Sequence, residues 1–143
     1  MNQRDALIAA VCANPEDDLP RLVFADWCDE NGEEDRAEFI RVQCELAKLS
    51  AHDPRRAGLT ARERELVVAH RSVWLIPDLR GSQEFRRGFV EYVHTAAERL
   101  ISHPRRLIEA GPVRELRLIN VADVGRDLAR LPGLERIEHL DLT

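Results

Sequence analysis

Residues 107–142 read LIEAGPVRELRLINVADVGRDLARLPGLERIEHLDL. Within them, Leu107, Ala110, Val113, Leu116 and Leu118 are matched by Leu131, Leu134, Ile137, Leu140 and Leu142. Every partner lies 24 positions further on. The shared spelling is L-xx-(A/L)-xx-(V/I)-xx-L-x-L. Alternate residues of an extended chain point to opposite faces, so the two leucines of each L-x-L point the same way. The apolar positions upstream, three residues apart, suit a helical or irregular return on the other side of a coil.

A period of 20–29 residues ending in L-x-L is the pattern of a leucine-rich repeat. It predicts Leu116 beside Leu140 in neighbouring parallel strands. Glu115, Arg117 and Ile119 of the first strand, and His139, Asp141 and Thr143 of the second, then point to a concave binding face, with Arg117 next to Asp141. Val121 stands where many such repeats carry asparagine, so a buried amide ladder is not assured. One unit cannot bury its face alone, and about three are needed for a stable stack. The expectation is therefore an N-terminal cap with the opening turns of a longer solenoid. Its last strand would offer an unpaired edge through which copies could self-associate.

The residues ahead of this repeat read as mainly helical. Residues 3–13 carry Leu7, Ile8 and Val11 on one stripe, ended by Asn14-Pro15. The segment EDDLPRLVFADWCDEN opens with acids and a proline, then presents Leu22, Val23, Phe24 and Trp27 at helical spacing. RAEFIRVQCELAKL places Phe39, Ile40, Cys44 and Leu46 along another helix. AHDPRRAGL reads as a linker, after which Thr60-Ala-Arg-Glu63 has the form of a capping box opening a helix to about Trp74. At Pro77 the character changes. QEFRRGFVEYVHT favours strand, and Thr95-Ala-Ala-Glu98 is a second capping-box pattern, opening a helix that His103-Pro104 interrupts. The resulting organisation is α+β: a helical cap bundle over 1–76, a strand–helix transition over 77–111, and a short leucine-rich-repeat-like strand/helix solenoid from 112 to 143.

Composition limits the function classes. Hydrophobic residues at 44% and charged residues at 33% of 143 fit one soluble globular domain. No apolar run approaches a membrane span, and the N-terminus lacks a basic, apolar signal segment, so a cytoplasmic protein is expected. Cys12, Cys28 and Cys44 form no CxxC pair and read as buried thiols of a reducing compartment. The net charge of −5 is uneven. Residues 1–50 hold five basic and twelve acidic side chains, residues 51–111 eleven and eight, and the remainder five and six. Internal pairing of the acidic front with the arginine-bearing middle explains this better than a nucleic-acid surface. Arg86-Arg87 beside Phe85 and Phe89, with Arg105-Arg106, are a thin basis for holding a phosphate backbone.

The one concentration of candidate ligands is WCDENGEEDRAE, Trp27–Glu38. With Gly32 at the sixth place of a calcium loop, Asp29, Asn31, Glu33, Asp35 and Glu38 fall at positions 3, 5, 7, 9 and 12. Trp27 then occupies the first ligand position and Glu34 the usually apolar eighth. Moreover, Phe39 and Ile40 face a core only if Arg36–Arg41 is already helical, which leaves too short a loop for the ion. The preferred reading is a turn, with Gly32 at positive φ ending one helix and Glu33, Glu34 and Asp35 favoured by the dipole of the next. Asp26, within an apolar stretch beside Trp27, needs a partner, which Arg36 or Arg41 could supply.

Residues 21–49, RLVFADWCDENGEEDRAEFIRVQCELAKL, resemble the bacterial repeat-companion domain, a small helical module of the flavour RLVYADWLEE-G-RAEFIR-Q-L. The matching residues are Arg21, Leu22, Val23, Ala25, Asp26, Trp27, Gly32, Arg36, Ala37, Glu38, Phe39, Ile40, Arg41, Gln43 and Leu46. ARERELVVAH (61–70) and FRRGFVE (85–91) look like the continuation in members that lead into leucine-rich repeats, so the resemblance covers about residues 3–143. It implies a cap or adaptor for a repeat scaffold that binds macromolecules, with no catalytic activity to carry over. This chain departs from the pattern in having only two repeat units.

No nucleophile–base pair, zinc spacing or glycine-rich phosphate loop is visible. His52, His70, His94, His103 and His139 are scattered. The expected function is non-catalytic protein–protein interaction, with no cofactor or metal and no nucleic-acid or membrane partner. The alternative is a metal-dependent, calcium-binding or hydrolytic activity at Asp26–Glu38.

Overall fold

The computed structural model describes residues 2–143. The chain is α+β. Among the described residues there are seven α-helices, four of them ahead of any strand, and one open four-stranded sheet. It divides into two compact units: the first runs to Trp74 and takes in Arg86–Phe89, and the second comprises Leu75–Phe85 and Val90–Thr143. Among the described residues no helix is long and apolar enough to cross a membrane.

The first unit is built on helices α1 (Gln3–Ala13), α2 (Asp18–Glu30), α3 (Glu34–Lys48) and α4 (Arg56–Trp74). Asn2 and Asp17 cap the first two, accepting from the N–H groups of Asp5 and Leu19. The apolar stripes meet in a core of Val11, Phe24, Ala25, Cys28, Ala37, Ile40, Cys44 and Phe89. Complete burial of a side chain such as Phe24 or Ile40 contributes roughly 1.5–3 kcal/mol.

Between α2 and α3 the chain reverses in three residues. The N–H of Glu33 donates to the carbonyl of Cys28 at 2.8 Å, and Gly32 sits at φ +78°. This six-to-one bond closes the helix in the Schellman manner, and the left-handed residue it needs is supplied without a Cβ clash.

Helix α4 departs from expectation at its start. It begins at Arg56, so Thr60 lies inside it and the Thr60–Glu63 box is not its terminus. Asp53 does the work instead: its side chain accepts from the N–H of Arg55 at 2.9 Å, and its carbonyl accepts from Arg56 at 3.1 Å. An aspartate followed by proline already forms a helix entry, so the threonine seven residues later is not needed.

The second unit holds most of the sheet, in the order β1 (Gly81–Arg86), β2 (Phe89–Ala96), β3 (Glu115–Ile119), β4 (His139–Leu142). The stretch read as one strand through QEFRRGFVEYVHT is two. Arg87 and Gly88 turn the chain between them, both at positive φ (48° and 91°), as a two-residue hairpin of the type I′ kind requires. Short helices α5 (Ala97–Ser102), α6 (Arg106–Glu109) and α7 (Gly125–Ala129) and a 3-10 turn at Leu134–Arg136 make the returns. Thr95 does not cap α5. It belongs to β2, is buried, and its hydroxyl donates to the carbonyl of Arg80 at 2.6 Å.

β2 pairs with β3 and β3 with β4, both parallel. Val93 faces Leu116 and Thr95 faces Leu118. Across the next gap Leu116 faces Leu140 and Leu118 faces Leu142, an offset of 24 residues throughout. The core beneath gathers Val93, Ala97, Leu100, Leu107, Val113, Leu116, Leu118, Leu128 and Leu131, with Ala110, Leu134 and Ile137 packed against it.

Candidate interaction face and the acidic turn

Because side chains alternate along a strand, the residues between the buried leucines share the opposite face. Two rows run across three strands there: Tyr92, Glu115 and His139, then His94, Arg117 and Asp141. Ala96 and Ile119 begin a third. Sequence reasoning named Glu115, Arg117, Ile119, His139 and Asp141, and the sheet brings them together. Thr143 lies just past β4 and donates its N–H to the carbonyl of Leu118 at 2.9 Å.

Arg117 Nε lies 3.4 Å from Asp141 Oδ2, both side chains about half exposed. An ion pair so open to water is worth well under about 1 kcal/mol, so its value lies in presenting paired charge rather than in stability. Tyr92 and His94 complete the rows and were not foreseen. They belong to a strand outside the 24-residue repeat, so only the parallel β2/β3 register could have identified them. His94 Nε2 is buried without a hydrogen-bond partner.

Arg114 joins the strands at their start. Its guanidinium reaches Glu91 (3.4 Å) and Glu138 (3.3 Å), its N–H donates to the carbonyl of Glu91, and its own carbonyl accepts from both Glu138 and His139. Glu91 is almost wholly buried, so this pair is a fixed joint rather than a solvated contact.

The acidic turn is organised differently from either calcium or a buried carboxylate. Asp26 is exposed rather than enclosed, with Arg41 Nη2 at 2.7 Å. The same guanidinium takes Asp29 through Nη1 at 2.7 Å. On a helix, residues three apart share a face, so Asp26 and Asp29 present one clamp to Arg41. Arg36 takes no part in this. Its guanidinium lies over the rings of Trp74 (5.2 Å), Phe89 (5.4 Å) and Phe39 (5.9 Å), with Nη1 buried and without a hydrogen-bond partner. Burial depresses its pKa to about 10. Trp27 stacks on Phe24 at 5.7 Å, with the guanidinium of Arg4 over both rings.

Three further acids of the turn are each engaged by a separate cation or ring. Glu33 meets Arg4, Asp35 lies 2.7 Å from His70 Nε2, and Glu38 forms a two-pronged bond with Arg62 at 2.7 and 2.8 Å. The Arg62 bonds hold the Glu38 carboxyl below its usual pKa. Among the described residues no group of three or more His, Cys, Asp or Glu side chains is arranged to hold a metal ion. A pocket of about 340 Å³ adjoins the start of α3, lined by residues including Asp35, Arg36, His70 and Trp74. His70 stacks on Trp74, which stacks on Phe39. The lining offers a His–Asp pair but no serine, threonine or cysteine to serve as a nucleophile.

The arginine pairs weighed as phosphate ligands are occupied. Arg87 donates to the carbonyls of Pro15 (2.5 Å) and Glu16 (2.9 Å) and pairs with Asp18 (2.9 Å). Arg106 holds Asp78 at 2.5 Å and Glu109 at 3.3 Å, and Arg105 holds Glu109 at 3.2 Å.

No family model matches the chain, and neither a curated protein nor a solved structure does.

Proposed function

We propose that the chain is a non-catalytic protein-interaction module of the repeat-companion kind, acting in the cytoplasm as the helical cap and opening coils of a leucine-rich-repeat scaffold. The observation that carries this reading is the β3/β4 register. Leu116 opposite Leu140 and Leu118 opposite Leu142, parallel and 24 residues apart, is what successive repeat strands require. The partner binds on the polar side of the sheet, over Tyr92, Glu115, Arg117, His139 and Asp141. Alternating charge with an aromatic ring matches another protein's surface. A phosphate backbone asks instead for unopposed cations, and the arginine pairs here are spent on carboxylates and carbonyls.

Affinity capture from the native cell tests this, comparing the chain with an Arg117→Glu variant of unchanged circular dichroism. A defined protein held by the first and released by the second is the expected result. Equal recovery by both overturns the assignment of the face. A second reading, metal-dependent or hydrolytic activity at Asp26–Glu38, draws on the Asp35–His70 contact beside the pocket. Calcium titration calorimetry separates the two, because tight stoichiometric binding requires Asp29 and Glu38 to leave their arginines.

A further inference from the structure

We propose that the pocket between the start of α3 and the end of α4 binds a carboxylate carried on an apolar group, with the Arg36 guanidinium as its counter-ion. Arg36 lies in the pocket wall beside His70, Val73 and Trp74. Its cation is set among the rings of Phe39, Trp74 and Phe89, and it forms no hydrogen bond or ion pair with any described residue. A guanidinium carries five N–H donors in a planar fork, and enclosing it without an acceptor is costly. Ring faces offset part of that cost but leave the in-plane donors unmet. Nη1 is shut off from water, whereas Nε and Nη2 are not. The open edge of the fork is therefore the one that takes a carboxylate through two parallel bonds. Among nearby charges, Arg4 and Glu33 act on Arg36 in opposite directions and pair with each other at 3.5 Å, so neither neutralises it.

The surroundings point to the same class of ligand. Helix α3 has no side-chain cap, and its first internal bond runs from the N–H of Ala37 to the carbonyl of Glu33. The N–H groups of Glu34, Asp35 and Arg36 are thus open donors at the positive end of the helix dipole, in residues that border the pocket. Val73, 78% exposed, and Trp74 supply an apolar wall for the body of the ligand. The acids at the mouth set its charge. Glu33 is taken by Arg4 and Asp35 by His70, but Glu34 has no cation, so a phosphate dianion is disfavoured and a single negative charge is accepted. The volume of about 340 Å³ suits one residue-sized group. Two sources carry this chemistry: a free apolar carboxylic acid and the C-terminal residue of a polypeptide.

Heteronuclear NMR titration of the 143-residue chain tests the proposal, with phenylpropionate and acetyl-glycyl-phenylalanine as probes, each beside its neutral amide. Saturable shifts of the Arg36 Nε–H and of the Glu34, Asp35 and Arg36 amides are expected with the carboxylates, and binding about tenfold or more weaker with the amides. The carboxylate that binds more tightly identifies the source. Val73→Asp changes an exposed side chain, so its circular dichroism should match the parent, yet it sets a like charge on the pocket wall and should weaken carboxylate binding about tenfold. Arg36→Lys retains the charge without the fork and should also bind less tightly. Absence of saturable shifts with both carboxylates overturns the proposal. So do amides that bind as well as the acids, or a folded Val73→Asp variant that binds like the parent. The outcome is separate from that of the sheet-face reading, which concerns the second unit.

Discussion

Arg21 is the only arginine among the described residues with no exposed surface at all. Its guanidinium donates to the carbonyls of Arg86 (2.9 Å), Arg87 (3.2 Å) and Pro15 (2.7 Å) and lies over the ring of Phe89. A buried cation is tolerable only when donors and acceptors match, and here the planar fork meets three acceptors from two separate loops. Arg21→Ala strands those carbonyls and is expected to cost about 3 kcal/mol or more in urea unfolding. Arg21→Lys should rescue little, because a single ammonium cannot span the same directions. Glu38 makes a prediction in pH. Its carboxyl is held below the ordinary 4.5 by Arg62, so the contribution is complete above that value and is lost as pH falls through the lowered one. Glu38→Gln should therefore lower stability modestly at neutrality, where the contribution is complete, and converge with the parent as pH falls below about 4.5, as followed by circular dichroism. Residue roles were the least legible part of the sequence. Asp26 looked enclosed because its neighbours are apolar, yet it lies on the outer side of α2. Arg21 carries a charge that sequence reasoning gave no structural role, yet it is buried. Sequence neighbours report a residue's company along the chain, whereas helical phase and distant carbonyls decide its burial.

At the scale of elements, the hairpin turn is the tightest demand in the fold. A Cβ at Gly88 would sit 2.6 Å from Ile40 Cγ1 and 2.8 Å from Ile40 Cα, at φ +91°. Its N–H also donates to Gln43 Oε1 at 2.7 Å. Gly88→Ala therefore combines backbone strain with overlap against a helix, and a loss of roughly 3 kcal/mol or more in thermal or urea melts is expected. The leucines make a paired prediction. Leu116→Ala opens a cavity in a closed core and should cost about 2–5 kcal/mol, while Leu140→Ala, half in water, should cost about 1 kcal/mol in the dilute protein. Where strong periodicity existed, the elements could be read: the first three helices from their stripes and caps, and the β3/β4 register from one repeated spelling. The hairpin was missed because Arg87 fills a left-handed position usually given to asparagine or glycine. Both threonine capping boxes misled for one reason. A local side-chain bond was assumed where Asp53 capped earlier in one case and a tertiary acceptor, the Arg80 carbonyl, claimed the hydroxyl in the other.

Across the whole molecule, the three cysteines are free thiols, with Cys28 and Cys44 buried in the first unit and Cys12 partly so. Burial pushes the Cys28 and Cys44 thiols up to about 11. The thiolate is the reactive form, so both should resist a thiol reagent in the native protein and react only on unfolding, while Cys12 reacts first. Stoichiometry of labelling with and without denaturant checks this, and two or more rapidly labelled native thiols would contradict the described packing.

The aromatic placement described above has an optical consequence. Both tryptophans, Trp27 and Trp74, belong to the first unit, and the single tyrosine, Tyr92, belongs to the second. Emission excited at the red edge of the indole band therefore reports on the helices alone, while the phenol signal and far-ultraviolet strand signature report on the sheet. A melt recorded at both wavelengths distinguishes one cooperative transition from two without any introduced label.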